Sequence, residues 1–289
     1  MNPAALANLI EANAARWPSM VIDFDAVPVM NQVAARLIAA DAKGRYQAIS
    51  AQTGVPWPII ALIHERECSQ SWSRSIAQGD PWNAVSIHVP AGRGPFNSWE
   101  EAAVDALIAC EHMDQWPHWD TVGGALTRLE MYNGLGYAVR NPAMPSPYVW
   151  SRTDQYISGK YVADHDFDPN VIDSQEGCGP LLASMMIQDP TILETFPSWG
   201  PPPAQPSLSS PDGVVCDTRW LQTCLNQHGA NPQLTVDGGW GAHTIAALKA
   251  YQANAGLTAC GRYNVPTRDS LLAALASAAT PGETTTAVG

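Results

Sequence analysis

Six of the fifteen residues from Pro197 to Pro211 are proline. Proline locks one backbone dihedral and donates no amide hydrogen, so such a run forms a stiff extended spacer and not a packed element. The chain on either side must therefore bury its own core. We expect a first domain over 1–195, a linker over 196–213, a second domain over 214–275 and a disordered tail over 276–289. A length of 289 residues with 46% hydrophobic content leaves room for both domains.

The formal charge of −12 argues against nucleic acid as a partner, because phosphate binding needs clustered lysine and arginine. Residues 1–200 hold 11 basic and 22 acidic residues, whereas 201–289 hold 4 and 5, so attachment through the second domain is not expected to be electrostatic. No stretch approaches the roughly 20 apolar residues of a membrane span, and the N-terminus lacks the basic start and apolar block of an export signal. A target outside the cytoplasm would then be reached through a pore, a secretion machine or lysis. Cysteines at 68, 110, 178, 216, 224 and 260 form no CxxC pair and no metal-ligand spacing, so buried thiols are expected, with Cys216 or Cys224 bridging Cys260 only in an oxidising compartment. Eleven tryptophans serve cores first, with weak support for sugar faces.

Within the first domain, apolar spacing predicts helices over 4–16 and 29–53, the second ended by Gly54. Another follows in WPIIALIHERECSQSW (57–72), with prolines in its first turn and an end just after Glu67. Its two carboxylates, Glu65 and Glu67, each share a helical face with apolar residues, and either could lose hydration and hold its proton to higher pH. Residues 73–97 are rich in glycine and proline; only AVSIHV alternates like a strand, so loops with a small hairpin are expected there. Ser98 with Glu101 marks a capping box opening a helix to about 113, and further helices are expected over 121–135, 148–158 and 178–188. The aromatic and polar mix at 150–162 suits core packing first and a glycan groove second. The fold class is mainly α with one short β element.

The second domain carries a repeat: LTVDGGWGAHT at 234–244 and LTACGRYNVPT at 257–267 align without a gap. Each reads as a glycine turn followed by a threonine-capped helix, which gives a small three-helix module. Together with Leu221, Gln222, Leu225, Asn226, Gly229, Val236, Asp237, Gly238, Gly241, Thr244, Ala247, Leu248, Tyr251, Gln252, Gly256 and Leu257, this resembles the three-helix peptidoglycan-binding domain, with Cys260 where an aspartate is usual. The resemblance implies bacterial peptidoglycan as the partner, contacted through Gln222, Asp237, Gly238, Trp240 and Tyr251.

The first domain in turn is similar to the lysozyme and transglycosylase superfamily. Glu67-Cys68 stands where transglycosylases have Glu-Ser, and Met131-Tyr132-Asn133-Gly134 is similar to their Ala-Tyr-Asn-Ala helix. The Gly-Leu-Met-Gln segment of that pattern is missing; Gln78-Gly79-Asp80-Pro81-Trp82-Asn83, followed by Ser86 and His88, looks instead like phage-type endolysins. The resemblance implies a monomeric muramidase cleaving β-1,4 glycosidic bonds of peptidoglycan without a cofactor. It implies Glu67 as general acid, Glu65 as a surface or supporting residue, Asp80 as second carboxylate with Glu130 in reserve, and Tyr132, Asn133, Ser86, His88 and Trp82 as substrate-facing residues. A lytic transglycosylase on the same bond is the nearest rival. HERE lacks the i, i+4 histidine pair of a zincin, which opposes a zinc amidase; a non-catalytic wall-docking protein is the third alternative.

Overall fold

The helix that carries Glu67 is apolar on every side, which is the pattern of a helix surrounded by others. In the computed structural model, which describes residues 1–77, 79–163, 165–205 and 216–279, this is so. Helix α4 (Trp57–Cys68) buries every residue from Trp57 to His64. It packs against α2 (Val27–Leu37), α3 (Ala40–Thr53), α6 (Val122–Asn133) and α8 (Cys178–Gln188). Pro56 and Pro58 sit in its first turn, where the amide hydrogens lack partners in any case. It ends in two successive left-handed residues that are not glycine, Ser69 and Gln70. Their amides cap the carbonyls of Glu65 and His64, and the buried Gln70 amide donates to Arg36 O and Tyr46 Oη, which fixes the strained turn directly after Glu67.

Two compact units divide the chain, Met1–Ile22 with Ala26–Gln205 and Asp23–Asp25 with Pro206–Gly289. The described residues are mainly helical with one two-stranded sheet. In the first unit α1 (Pro3–Ser19) lies along α6. Its close approach is set by Gly123, where a Cβ would come within 2.6 Å of Ile10 O and 2.7 Å of Ala14 Cβ. The helix expected over 29–53 is two helices: Ile38 caps the first on Ala34 O, and Ala39 turns extended before the second. The capping box at Ser98 starts α5 (Trp99–Val104), which widens into a π-helical stretch, Asp105–Cys110.

Further expectations are corrected. Residues 84–89 form no strand, because their apolar side chains point outward, with Ile87 80% and Val89 87% exposed, while Ser86 turns inward. The hairpin lies at β1 (Lys160–Ala163) and β2 (Asp166–Asp168), paired antiparallel with Tyr161 opposite Phe167. The helix expected over 148–158 is only α7 (Pro147–Trp150), after which Thr153 and Tyr156 side chains tie down an irregular buried turn. The spacer does not begin at 196: Trp199 is buried with its indole on Trp119 O, Trp17 donates to Pro201 O, and Gln205 reaches Asn31 and Ser184. Residues 206–213 of the expected linker, Gln78, and residues 280–289 of the expected tail lie outside the described residues.

In the second unit α10 (Thr218–Gln227), α11 (Ala242–Asn254) and α12 (Val265–Ala279) enclose Leu221, Leu225, Leu248 and Leu271. Helix α12 runs through the start of the segment expected as a tail.

Candidate functional site

Glu67 stands on the last turn of α4, exposed along a groove and flanked by protein on its other sides. Its Oε1 accepts a 2.8 Å hydrogen bond from Tyr148 Oη on α7. Burial raises its pKa above the ordinary glutamate value, opposed by that hydrogen bond and by Arg66, and reinforced by the negative charge of Glu111. The carboxyl therefore keeps its proton to higher pH than a solvated one.

Two cavities meet at this residue. One, of about 670 Å³, runs between Tyr148, Tyr137, Tyr161, Lys160, Asp173 and Gln175. The other, of about 510 Å³, is lined by Ala77, Pro90, Arg93, Cys110, Glu111 and Tyr132. Glu67 and Asn133 line both, so the end of α4 and the end of α6 form the waist of a continuous groove. Asn133 thus lies beside Glu67 along the groove. The Tyr132 ring packs against the core, and its hydroxyl donates to Ile76 O at 2.7 Å, pinning the loop after α4 to α6. The floor of the larger cavity is a buried ion network: Asp173, 1% exposed, accepts from Arg66 Nη2 and Lys160 Nζ, each at 2.9 Å. Burial alone would raise the Asp173 pKa, but Arg66 and Lys160 hold it below the usual carboxylate range.

The other expected site residues fall elsewhere. Asp80 does not line either cavity; its Oδ2 accepts from the amides of Ile87 and His88, and its Oδ1 meets His88 Nδ1 at 2.7 Å. These bonds, the His88 amide first and its ring next, hold its pKa below the ordinary aspartate value. Ser86 is likewise turned into the loop, donating to Pro90 O and accepting from Arg93 N. Trp82 donates to Trp72 O. Asp80, Ser86, His88 and Trp82 thus build the loop that presents Ala77, Pro90 and Arg93 to the groove. Glu65 pairs with Arg36 at 2.7 Å, away from both cavities. Glu130 is buried behind the groove against Asn13.

What sequence reasoning missed is the two carboxylates that do share cavities with Glu67, Asp173 in the larger and Glu111 in the smaller. Glu111 follows the π-helical stretch and pairs with Arg128 at 3.3 Å. Nothing in its local sequence marks it; the π-helical widening that carries it to the groove has no residue signature. The aromatic wall of Tyr137, Tyr148 and Tyr161 was foreshadowed only by the mixed run at 150–162.

In the second unit each glycine turn of the repeat is clasped by one glutamine. Gln222 Nε2 donates to Asp237 Oδ1 and Gly239 O, and its Oε1 accepts from Gly238 N. Gln252 does the same for the second turn, with Arg262 O, Thr267 Oγ1 and Gly261 N. Gln222, expected as a wall contact, is 1% exposed, so its amide is committed to the turn. Asp237 is exposed and lines a cavity of about 330 Å³ with Gln233, Thr235 and His243. Gly238 and Trp240 are half-buried beside it, and Tyr251 bonds Ser270 in a separate depression.

Among the described residues no group of three or more His, Cys, Asp and Glu is placed to hold a metal ion, and no helix is long and apolar enough to cross a membrane. Residues 217–271 match the family described as "Putative peptidoglycan binding domain". This match supports an association with the bacterial cell wall and peptidoglycan as a partner. No curated protein and no solved structure matches the chain.

Proposed function

We propose that the first unit is a muramidase of the endolysin kind, cleaving the β-1,4 bond between N-acetylmuramic acid and N-acetylglucosamine, while the second unit holds it to the wall polymer. The observation that carries this reading is Glu67, a carboxyl with a raised pKa where cavities of about 670 and 510 Å³ meet, in a chain with a peptidoglycan-binding domain.

In this reading Glu67 protonates the glycosidic oxygen as its bond to C1 breaks, and positive charge builds on the sugar ring. Glu111, which lines the smaller cavity with Glu67 and pairs with Arg128, takes a proton from the water that adds to C1; Glu111 then gives that proton to solvent and Glu67 takes one back, which restores the pair. Asn133 offers an amide to an N-acetyl group, and the tyrosines of the larger cavity offer faces to sugar rings. Asp80 acts by shaping the loop, not at the reacting carbon.

The deciding experiment is mass spectrometry of peptidoglycan digested by the full chain. Reducing ends on N-acetylmuramic acid are expected. 1,6-Anhydro ends would instead make the chain a lytic transglycosylase, and newly freed amino groups an amidase or peptidase. An undigested polymer that nonetheless retains the protein would leave wall docking alone.

A further inference from the structure

A third cavity lies on the first unit behind the groove. It is a trough of about 460 Å³ between one face of α1 and the segment after α6. Asn2, Ala5, Leu9, Ala12 and Arg16 recur at helical spacing along α1, and Ala138, Ala143 and Met144 face them. The alanines keep the trough shallow and apolar. At one end lies Glu130, only 1% exposed. Its Oε2 accepts from Asn13 Nδ2 at 3.3 Å, yet its Oε1 has no hydrogen-bond partner. A buried carboxyl oxygen left unpaired costs free energy, so such an atom beside a cavity points to a missing ligand group. Arg16, half-buried on the same wall, makes no ion pair with Glu130 and spends its guanidinium on no described side chain, although the two charges sense each other. Val139 lines both this trough and the larger groove cavity, so the two are neighbours across one residue.

We propose that the trough binds the carboxyl end of a short peptide with alanine-sized side chains. The terminal carboxylate pairs with Arg16, a backbone amide hydrogen is donated to Glu130 Oε1, and the methyl groups lie on the alanine wall. Resting on the wall reading above, the natural source is the alanine-rich peptide that branches from the glycan strand, with the sugars in the groove and the branch crossing Val139. A fatty-acid carboxylate shares the charged end and the apolar body, but its chain carries no amide hydrogen for the unpaired Glu130 Oε1. The peptide fits the wall better.

The test is calorimetric titration of the full chain with acetyl-D-alanyl-D-alanine, with decanoate, and with the tetramer of N-acetylglucosamine as a separate probe of the groove. The dipeptide is expected to bind. Arg16→Gln, which breaks no hydrogen bond or ion pair among the described residues, should weaken it at least tenfold, and Ala12→Phe, which fills the trough, should abolish it. Both variants should bind the tetramer as the unaltered chain does. Tetramer binding without dipeptide binding at millimolar concentration overturns the proposal, as does equal dipeptide affinity in Arg16→Gln or preference for decanoate. Dipeptide binding that is lost in both variants, with no tetramer binding at all, sustains the trough and sinks the muramidase reading instead.

Discussion

One carboxyl and the hydroxyl that touches it carry the chemistry proposed for the first unit. Glu67→Gln keeps the shape of the side chain and removes the transferable proton. Digestion of peptidoglycan, followed as released reducing ends, should fall by about 10²- to 10⁴-fold, the usual worth of a positioned acid. Binding of the N-acetylglucosamine tetramer should persist. Tyr148→Phe asks a finer question. The Tyr148 hydroxyl stabilises the ionised form of Glu67 and so opposes the effect of burial. Without it the carboxyl holds its proton further up the pH scale, and the basic limb of the pH–rate profile should move to higher pH. A limb that stays in place, or moves down, would show that Glu67 is not the acid being titrated.

At the level of helices and loops, what positions Glu67 is the packing of α4 among its neighbours and the bracing of α6 by α1. Gly123 is the tightest point of that brace. In Gly123→Ala the new methyl meets a backbone carbonyl and an alanine Cβ, neither of which can swing aside. The expected loss is about 1–3 kcal/mol of stability, read as a lower urea midpoint at unchanged slope. An unchanged midpoint would mean that α1 shifts freely on α6. How far these elements were legible in the sequence follows from what each rests on. Helix α4, the Gly54 stop, the Ser98 capping box and the repeat turns were readable because each depends on residues adjacent in the chain. The clasping role of Gln222 and Gln252 was not visible, since they stand 16 and 9 residues before the glycine amides they hold and no common spacing marks them. The loop at 79–97 misled because its alternation is reversed: Asp80 and Ser86 side chains satisfy its amides, so no partner strand is needed. The groove was the least legible part, being assembled from many separated segments, with Glu111 delivered by a π-helical widening and Lys160 by a hairpin just past the helix expected over 148–158.

Taken as one cooperative body, the first unit buries two titratable groups that pull its stability in opposite directions. His64 is fully buried, with Nδ1 on Tyr46 Oη and its ring against Trp72 and Trp99. Burial first, with the charges of Arg45 and Arg36 acting in the same direction, lowers its pKa to about 4 from 6.5. Between those values the unfolded chain binds the extra proton, so stability is complete above about pH 6.5 and is lost as pH falls toward 4. Glu130 runs the other way. Burial lifts its pKa to about 7 from 4.5, with Asn13 and then Arg16 opposing, so the folded chain binds the extra proton and stability is lost as pH rises from 4.5 to 7. Each shift is on the order of 3 kcal/mol at about 1.4 kcal/mol per unit. The two slopes nearly cancel between about pH 4.5 and 6.5, so together these two groups add little pH dependence across that range. Glu130→Gln removes one slope and keeps an oxygen for Asn13. Its urea midpoint should therefore climb relative to that of the unaltered chain as pH rises from 4.5 to 6.5, and the variant should be the more stable of the two at pH 7.5. Parallel curves for the two proteins across that range would mean that the Glu130 carboxyl titrates as an ordinary solvated acid, and the trough would then lose the buried group on which its proposed ligand depends.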